Sequence, residues 1–150
     1  MKMKKIIAIL FLIFSPACFS FELKLSCDVQ STHTYSTGRI ERNSGKALVE
    51  VREQRIGKLI AISSGIDVVN DLSASTYQLE NRSSDDFSDS NKWDIRTVVS
   101  RGNLTSITRI IIDRNSGMII IDRVFNINGR ETNTQVSGSC NKIDTSTRKF

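Results

Sequence analysis

Residues 112–119 read I-D-R-N-S-G-M-I, and residues 40–47 read I-E-R-N-S-G-K-A. The pattern I-[DE]-R-N-S-G thus occurs twice, each time between runs rich in β-branched residues. Asn, Ser and Gly favour turns, and Gly supplies the left-handed residue that closes a hairpin built on a type I turn. A three-residue loop, Asn115 to Gly117, pairs Ile112 with Ile120. A four-residue loop, Arg114 to Gly117, pairs Ile112 with Ile119 and Ile110 with Ile121. In the first copy the four-residue loop pairs Ile40 with Ala47 and keeps Ala47, Val49 and Val51 on one face. The four-residue loop suits both copies, so it predicts hairpin turns closed by Gly45 and Gly117, both with positive φ.

Working outward, period-two alternation dominates. Leu23-Lys24-Leu25-Ser26-Cys27-Asp28-Val29 places every apolar residue at an odd position, 93–99 nearly repeats the pattern, and so does 77–79. Such runs read as strands with one face in the core and one in water. Further strands are expected at 46–52, 58–63, 66–70, 104–113, 118–125 and 132–140, all rich in β-branched residues. No amphipathic helix stands out. The best window, around Val68 to Tyr77, carries too many Ser and Asn. Asn128-Gly129 marks a two-residue hairpin turn between Phe125 and Thr132, and Gly38, Gly57, Gly65 and Gly102 mark other bends. The polar stretch 81–92 breaks the alternation and reads as a surface loop or a partly disordered segment.

At the N-terminus, Lys2, Lys4 and Lys5 precede an apolar run, Ile6 to Phe14, too short to span a bilayer as a helix. Pro16-Ala17-Cys18-Phe19-Ser20 follows, so 1–20 reads as a cleaved secretory signal. Ser15 does not suit a lipidation signal, although Ala17 before Cys18 does. Cleavage removes three of the 21 basic side chains and none of the 16 acidic ones, so the net charge falls from +5 to +2. The remaining charges are interspersed rather than gathered into the basic stripe that nucleic acid requires. Residues 21–150 then form a single domain with no transmembrane span after signal removal. Two cysteines remain, Cys27 and Cys140, and an even count in an exported chain reads as a disulfide. With Cys27 in the first strand and Cys140 in the last, the bridge brings those strands together, which is how a sheet removes its edges. The expected fold is all-β, an antiparallel up-and-down meander closing into a small barrel of about 8–10 strands, with a two-sheet sandwich as the second choice.

The chain offers little chemistry. His33 is the single histidine, which excludes a multi-histidine metal site, and it reads as an exposed or hydrogen-bonded strand residue. Asp85, Asp86, Asp89 and Asn91 carry oxygen ligands but lack the central Gly and closing Glu of an EF-hand. No G-x-S-x-G is present. A membrane-spanning barrel would need an outward apolar band, whereas the polar positions of these strands carry Lys, Glu, Asp and Arg. We therefore expect no catalytic, cofactor-binding or metal residue. One patch stands apart: Ile110-Ile111-Ile112 faces Ile119-Ile120-Ile121, so Ile111 and Ile120 point away from the core toward a covering loop or a partner.

I-D-R-N-S-G-M-I, G-S-C-N-K at 138–142 and the terminal R-K-F resemble small exported β-rich proteins of Gram-negative bacteria. That group has an early Cys, an I-x-R-x-[ST]-G-x-L hairpin and a G-x-C-x-K near an aromatic terminus. Ile119 here replaces the usual Leu. The resemblance implies a periplasmic β fold and a Cys27–Cys140 bridge, and it brings no activity with it. The expectation is an exported, periplasmic or secreted, non-enzymatic binding or interaction module, its partner a protein or small ligand. Two alternatives accompany it. One is an inhibitor of a cell-wall hydrolase, although Ser64-Gly65 lacks the Tyr of a lysozyme-inhibitor loop. The other is a lipocalin-like carrier of a small apolar ligand.

Overall fold

The computed structural model describes residues 21–54, 57–76 and 82–143. The elements are β1 (Phe21–Thr34), β2 (Ile40–Gln54), β3 (Gly57–Ser64), a one-turn helix α1 (Asp67–Asn70), β4 (Ala74–Ser75), β5 (Arg82–Asp86), β6 (Lys92–Arg101), β7 (Leu104–Asp113), β8 (Met118–Ile127) and β9 (Arg130–Lys142). They form one antiparallel sheet in the order β4-β3-β2-β1-β9-β8-β7-β6-β5. The first and last long strands are therefore neighbours, and the sheet curls into a nearly closed barrel.

The seam falls between β4 and β5, away from the chain ends, and among the described residues side chains rather than a ladder bridge it. The Ser75 N–H donates to the Thr97 hydroxyl (3.2 Å), which donates back to the Ser75 carbonyl (3.2 Å). Arg82 Nη1 donates to Ser75 Oγ (2.7 Å), and Lys58 Nζ pairs with Asp86 Oδ2 (3.1 Å). Both edge strands are short and β5 is charged, so edges tied in this way make a poor template for another chain.

Alternation places the core inside. Val49, Val51, Ile60, Ile95, Ile110, Ile112, Ile119 and Ile121 are buried, with Val69 and Leu72 of the α1 segment packed among them. Each such side chain contributes about 1.5–3 kcal/mol on burial. The outer face carries Lys24, Glu50 and Arg52 in ion pairs, and Lys46 with Asp28. Cys27 lies opposite Cys140 in the β1–β9 ladder, and the two are bridged with Cα atoms 3.9 Å apart.

The two copies of the hexapeptide fold differently. In the second, Arg114 to Gly117 is the loop, Ile112 pairs with Ile119, Ile110 with Ile121, and Gly117 has φ 71°. Asp113 Oδ1 accepts the N–H groups of Asn115 (2.9 Å) and Ser116 (2.7 Å), which holds the loop. Asn128 and Gly129, with φ 53° and 78°, make the two-residue turn before β9.

The first copy corrects the sequence reading. Residues 40–45 are the opening of β2, Ile40 pairs with Thr34, and Gly45 pairs with Val29 without a positive φ. The β1–β2 turn comes earlier, at Tyr35–Arg39, where Tyr35 N–H bonds Arg39 O (2.9 Å) and Gly38 has φ 82°. A further turn at Gly45 would have left the second half of β1 without its partner strand. Two smaller corrections concern elements. The strand expected at 66–70 is α1, and the expected loop 81–92 contains β5. The strand expected at 77–79 lies outside the described residues.

Candidate functional site

The barrel interior is divided. Below Val29 and Val136 it is apolar; above them the inward positions turn polar, with Ser31 and His33 on β1, Thr134 on β9, and Ser106 and Thr108 on β7. The helix α1 lies over this polar layer, and its placement depends on the first hexapeptide. A Cβ on Gly45 would stand 3.0 Å from Ile66 Cδ1 and 3.2 Å from Cγ1, so the missing side chain makes room for the residue that leads into α1. Val69 and Leu72 then anchor the segment in the core.

Between α1 and the β1–β9–β8 wall is a cleft of about 180 Å³. One wall carries His33, Thr134, Thr132, Arg123 and Phe125; the other carries Asp67, Val68 and Asp71. His33 Nδ1 lies 2.6 Å from Thr134 Oγ1, and its ring meets Tyr35 edge-on with centroids 4.4 Å apart. Arg123, the one charged inward residue of β8, is steadied by Nε on Ser106 Oγ (3.2 Å) and Nη1 on the Asp71 carbonyl (3.4 Å). Its guanidinium also lies 5.4 Å from the centre of the Phe125 ring. Among the described residues, Arg123, Asp67 and Asp71 form no ion pair.

The rim beyond His33 is a hydrogen-bonded chain. The Tyr35 hydroxyl donates to Glu41 Oε2 (2.9 Å), Asn43 Nδ2 donates to Glu41 Oε1 (3.1 Å), and Arg39 pairs with Glu41 (3.8 Å). The hydrogen bonds from Asn43 and Tyr35 hold the Glu41 carboxyl below its ordinary value, and the same bond from the other side raises the Tyr35 hydroxyl.

A second charged cluster sits on the outer face. Asp94 is fully buried and receives Arg109 through Nε and Nη2 (both 2.9 Å) and Lys92 Nζ (2.8 Å). The Arg109 guanidinium, followed by Lys92, outweighs burial and holds the Asp94 carboxyl below its ordinary value. All of its strong acceptors are engaged, so this cluster reads as a clamp between β6 and β7.

The other residues singled out in the sequence are not brought to the cleft. Asp89 Oδ1 accepts the Asn91 and Lys92 N–H groups, Asp86 accepts Ser88 N–H and pairs with Lys58, and Asp85 pairs with Arg96. These carboxylates serve turns and ion pairs, and no cluster of three or more metal-ligating side chains occurs among the described residues. Ile111 and Ile120 face each other across the β7–β8 ladder on the outer surface, half-buried and 37% exposed respectively. Arg114 is exposed in the β7–β8 loop, and its guanidinium lies 4.7 Å from the centre of the Trp93 ring.

Sequence reasoning read His33 only as an exposed or hydrogen-bonded strand residue and did not single out Arg123, Asp67 or Asp71. The available signal was Arg123 itself, a charge at an inward position in the alternation Ile119, Ile121, Arg123, Phe125. No protein-family model, no curated protein and no solved structure matches the chain.

Proposed function

We propose that the protein is an exported, non-catalytic binding module that takes a small ligand in the polar mouth of its barrel. The observation that carries this reading is the cleft between α1 and the β8–β9–β1 wall. It is concave, Val68 and Phe125 give it an apolar residue on each wall, and it holds a few polar groups that converge on one space, the arrangement usual in small-molecule sites. Catalysis is less well supported, because the ionisable groups of the cleft are set apart on opposite walls rather than joined as acid–base pairs. A signal-like N-terminus and the Cys27–Cys140 bridge support export to an oxidising compartment such as the periplasm.

The alternatives gain less support. A carrier of an apolar ligand would need the space that Ile60, Leu72, Ile95 and Ile110 fill. An inhibitory loop at Ser64-Gly65 would need Ser64 free. Its N–H instead bonds Asn70 Oδ1 (2.6 Å), and its hydroxyl bonds the Lys46 carbonyl (3.3 Å) and the Ile66 N–H (3.0 Å).

Amide NMR of the disulfide-intact protein with a mixed set of small polar fragments tests the reading. Shift changes at His33, Val68, Arg123 and Thr134 are expected. Changes confined to the outer strip at Ile111 and Ile120, or none in the mouth, would overturn it.

A further inference from the structure

We infer that the mouth cleft takes a small zwitterion, a molecule that carries a carboxylate and a primary ammonium a few bonds apart, such as a free α-amino acid. The inference rests on the binding reading above and gives its ligand a chemistry.

Size comes first. A cavity of about 150 Å³ holds one benzene, so the cleft of about 180 Å³ suits a ligand of roughly six to ten heavy atoms. An alkyl chain or an oligosaccharide would have to leave most of itself outside.

Charge comes second. Arg123 presents a planar fork, the group best matched to a carboxylate. Two of its donors are spent, on Ser106 and on the Asp71 main-chain carbonyl, and both of those contacts are neutral. The guanidinium is thereby held in place without being neutralised. His33 stands on the same wall, its Nδ1 engaged by Thr134. The opposite wall is of the other sign. Asp67 and Asp71, four residues apart on the α1 segment, border the same space. Although Arg123 reaches Asp71, it bonds the main-chain oxygen, so Arg123 and the two carboxylates border one cavity with no direct ion pair between them among the described residues.

A purely anionic ligand would meet Arg123 but would face two carboxylates. A purely cationic one would meet the carboxylates but would face Arg123. A molecule bearing both charges satisfies both walls. Val68 and Phe125 offer apolar contact to a short side chain, and the Thr132 hydroxyl, which donates to the Phe125 carbonyl (3.4 Å), keeps lone pairs that can accept from an ammonium.

Calorimetric and NMR titration of the disulfide-intact protein with L-alanine, propionate and ethylamine, at matched ionic strength, tests this. Alanine should saturate, with shifts at His33, Val68 and Thr134, and each single-charge probe should bind at least about tenfold more weakly. Replacing both acids, Asp67→Asn with Asp71→Asn, should weaken alanine by about tenfold or more and leave propionate unchanged or tighter. Arg123→Gln should weaken alanine and propionate alike, and Arg123→Lys should restore part of the loss. If Arg123→Gln does not fold, the acid double variant and Arg123→Lys decide. Propionate binding as tightly as alanine would overturn the inference. So would polar fragments that shift the mouth amides while none of the three probes does. In both cases the binding reading would stand. Silence of the mouth toward every probe and fragment would remove both.

Discussion

The two copies of I-[DE]-R-N-S-G share five of six residues and share no structure. The second is a loop, tightened by Asp113 and closed by Gly117 in the left-handed region. The first is extended strand, and its glycine serves by what it lacks, a side chain that would meet Ile66. Two differences decide the outcome. Asp113 is short enough to cap the amides two and three residues on, as Asx turns require. Glu41, one methylene longer, instead accepts from Tyr35 and Asn43 across the strand face. The second difference is context. The chain has already turned at Tyr35–Arg39 when it reaches the first copy, and β1 is waiting to be paired. A local sequence offers a turn, and the surrounding ladder accepts or refuses it.

Both copies abut the β1–β9 junction, Gly45 beside Val29 and Gly117 against Cys140. Removing the bridge should therefore disturb both and give the largest effect. Cys27→Ser with Cys140→Ser opens a loop of sequence separation 113 and should cost up to about 4–5 kcal/mol in urea unfolding, with strand content retained. Unchanged stability would mean that the ladder alone holds the junction.

Next in size is Gly117→Ala. Its Cβ would overlap the Cys140 carbonyl oxygen, and its φ of 71° is strained for any L side chain. A loss of about 2 kcal/mol or more is expected. Asn at the same position should help little, since it relieves the φ but not the overlap. Gly45→Ala meets only the end of a flexible isoleucine and should cost about 1 kcal/mol or less. Its amide shifts should concentrate on α1. Equal losses at the two glycines would break the contrast.

Exchanging the acids gives smaller effects. Asp113→Glu should lower the melting temperature by withdrawing the cap from Asn115 and Ser116, by less than Gly117→Ala does. Glu41→Asp should leave stability almost unchanged and should free the Tyr35 hydroxyl. The smallest effect is in pH. The Ser116 and Asn115 amides hold Asp113 below its ordinary value, as Asn43 and Tyr35 hold Glu41. Each contributes stability that is complete above the ordinary carboxylate range and is lost as the pH falls through the lowered native value. Carbon-detected NMR titration should find both below their ordinary values. The Asn115 and Ser116 amides should follow Asp113, and the Tyr35 ring should follow Glu41. Either acid titrating at its ordinary value would remove its role as an acceptor.

Much of this architecture was legible in the chain. Period-two alternation marks which face of each strand is buried, so β1, β6, β7, β8 and β9 could be read with their inward residues. Asn128-Gly129 and Asp113–Gly117 could be placed as turns because their residues alone satisfy the local backbone. The cysteines, one in each terminal strand, set which strands meet. All of these depend on neighbours in sequence or on a single pairing. What tertiary structure alone decided depends on groups far apart in the chain. Whether R-N-S-G turns or extends depends on a partner strand being present. Whether 66–70 is strand or helix depends on the space above Gly45. Whether Arg123, Asp67 and Asp71 share one cleft depends on how the sheet curls, since no periodicity records which interior layer a side chain will occupy.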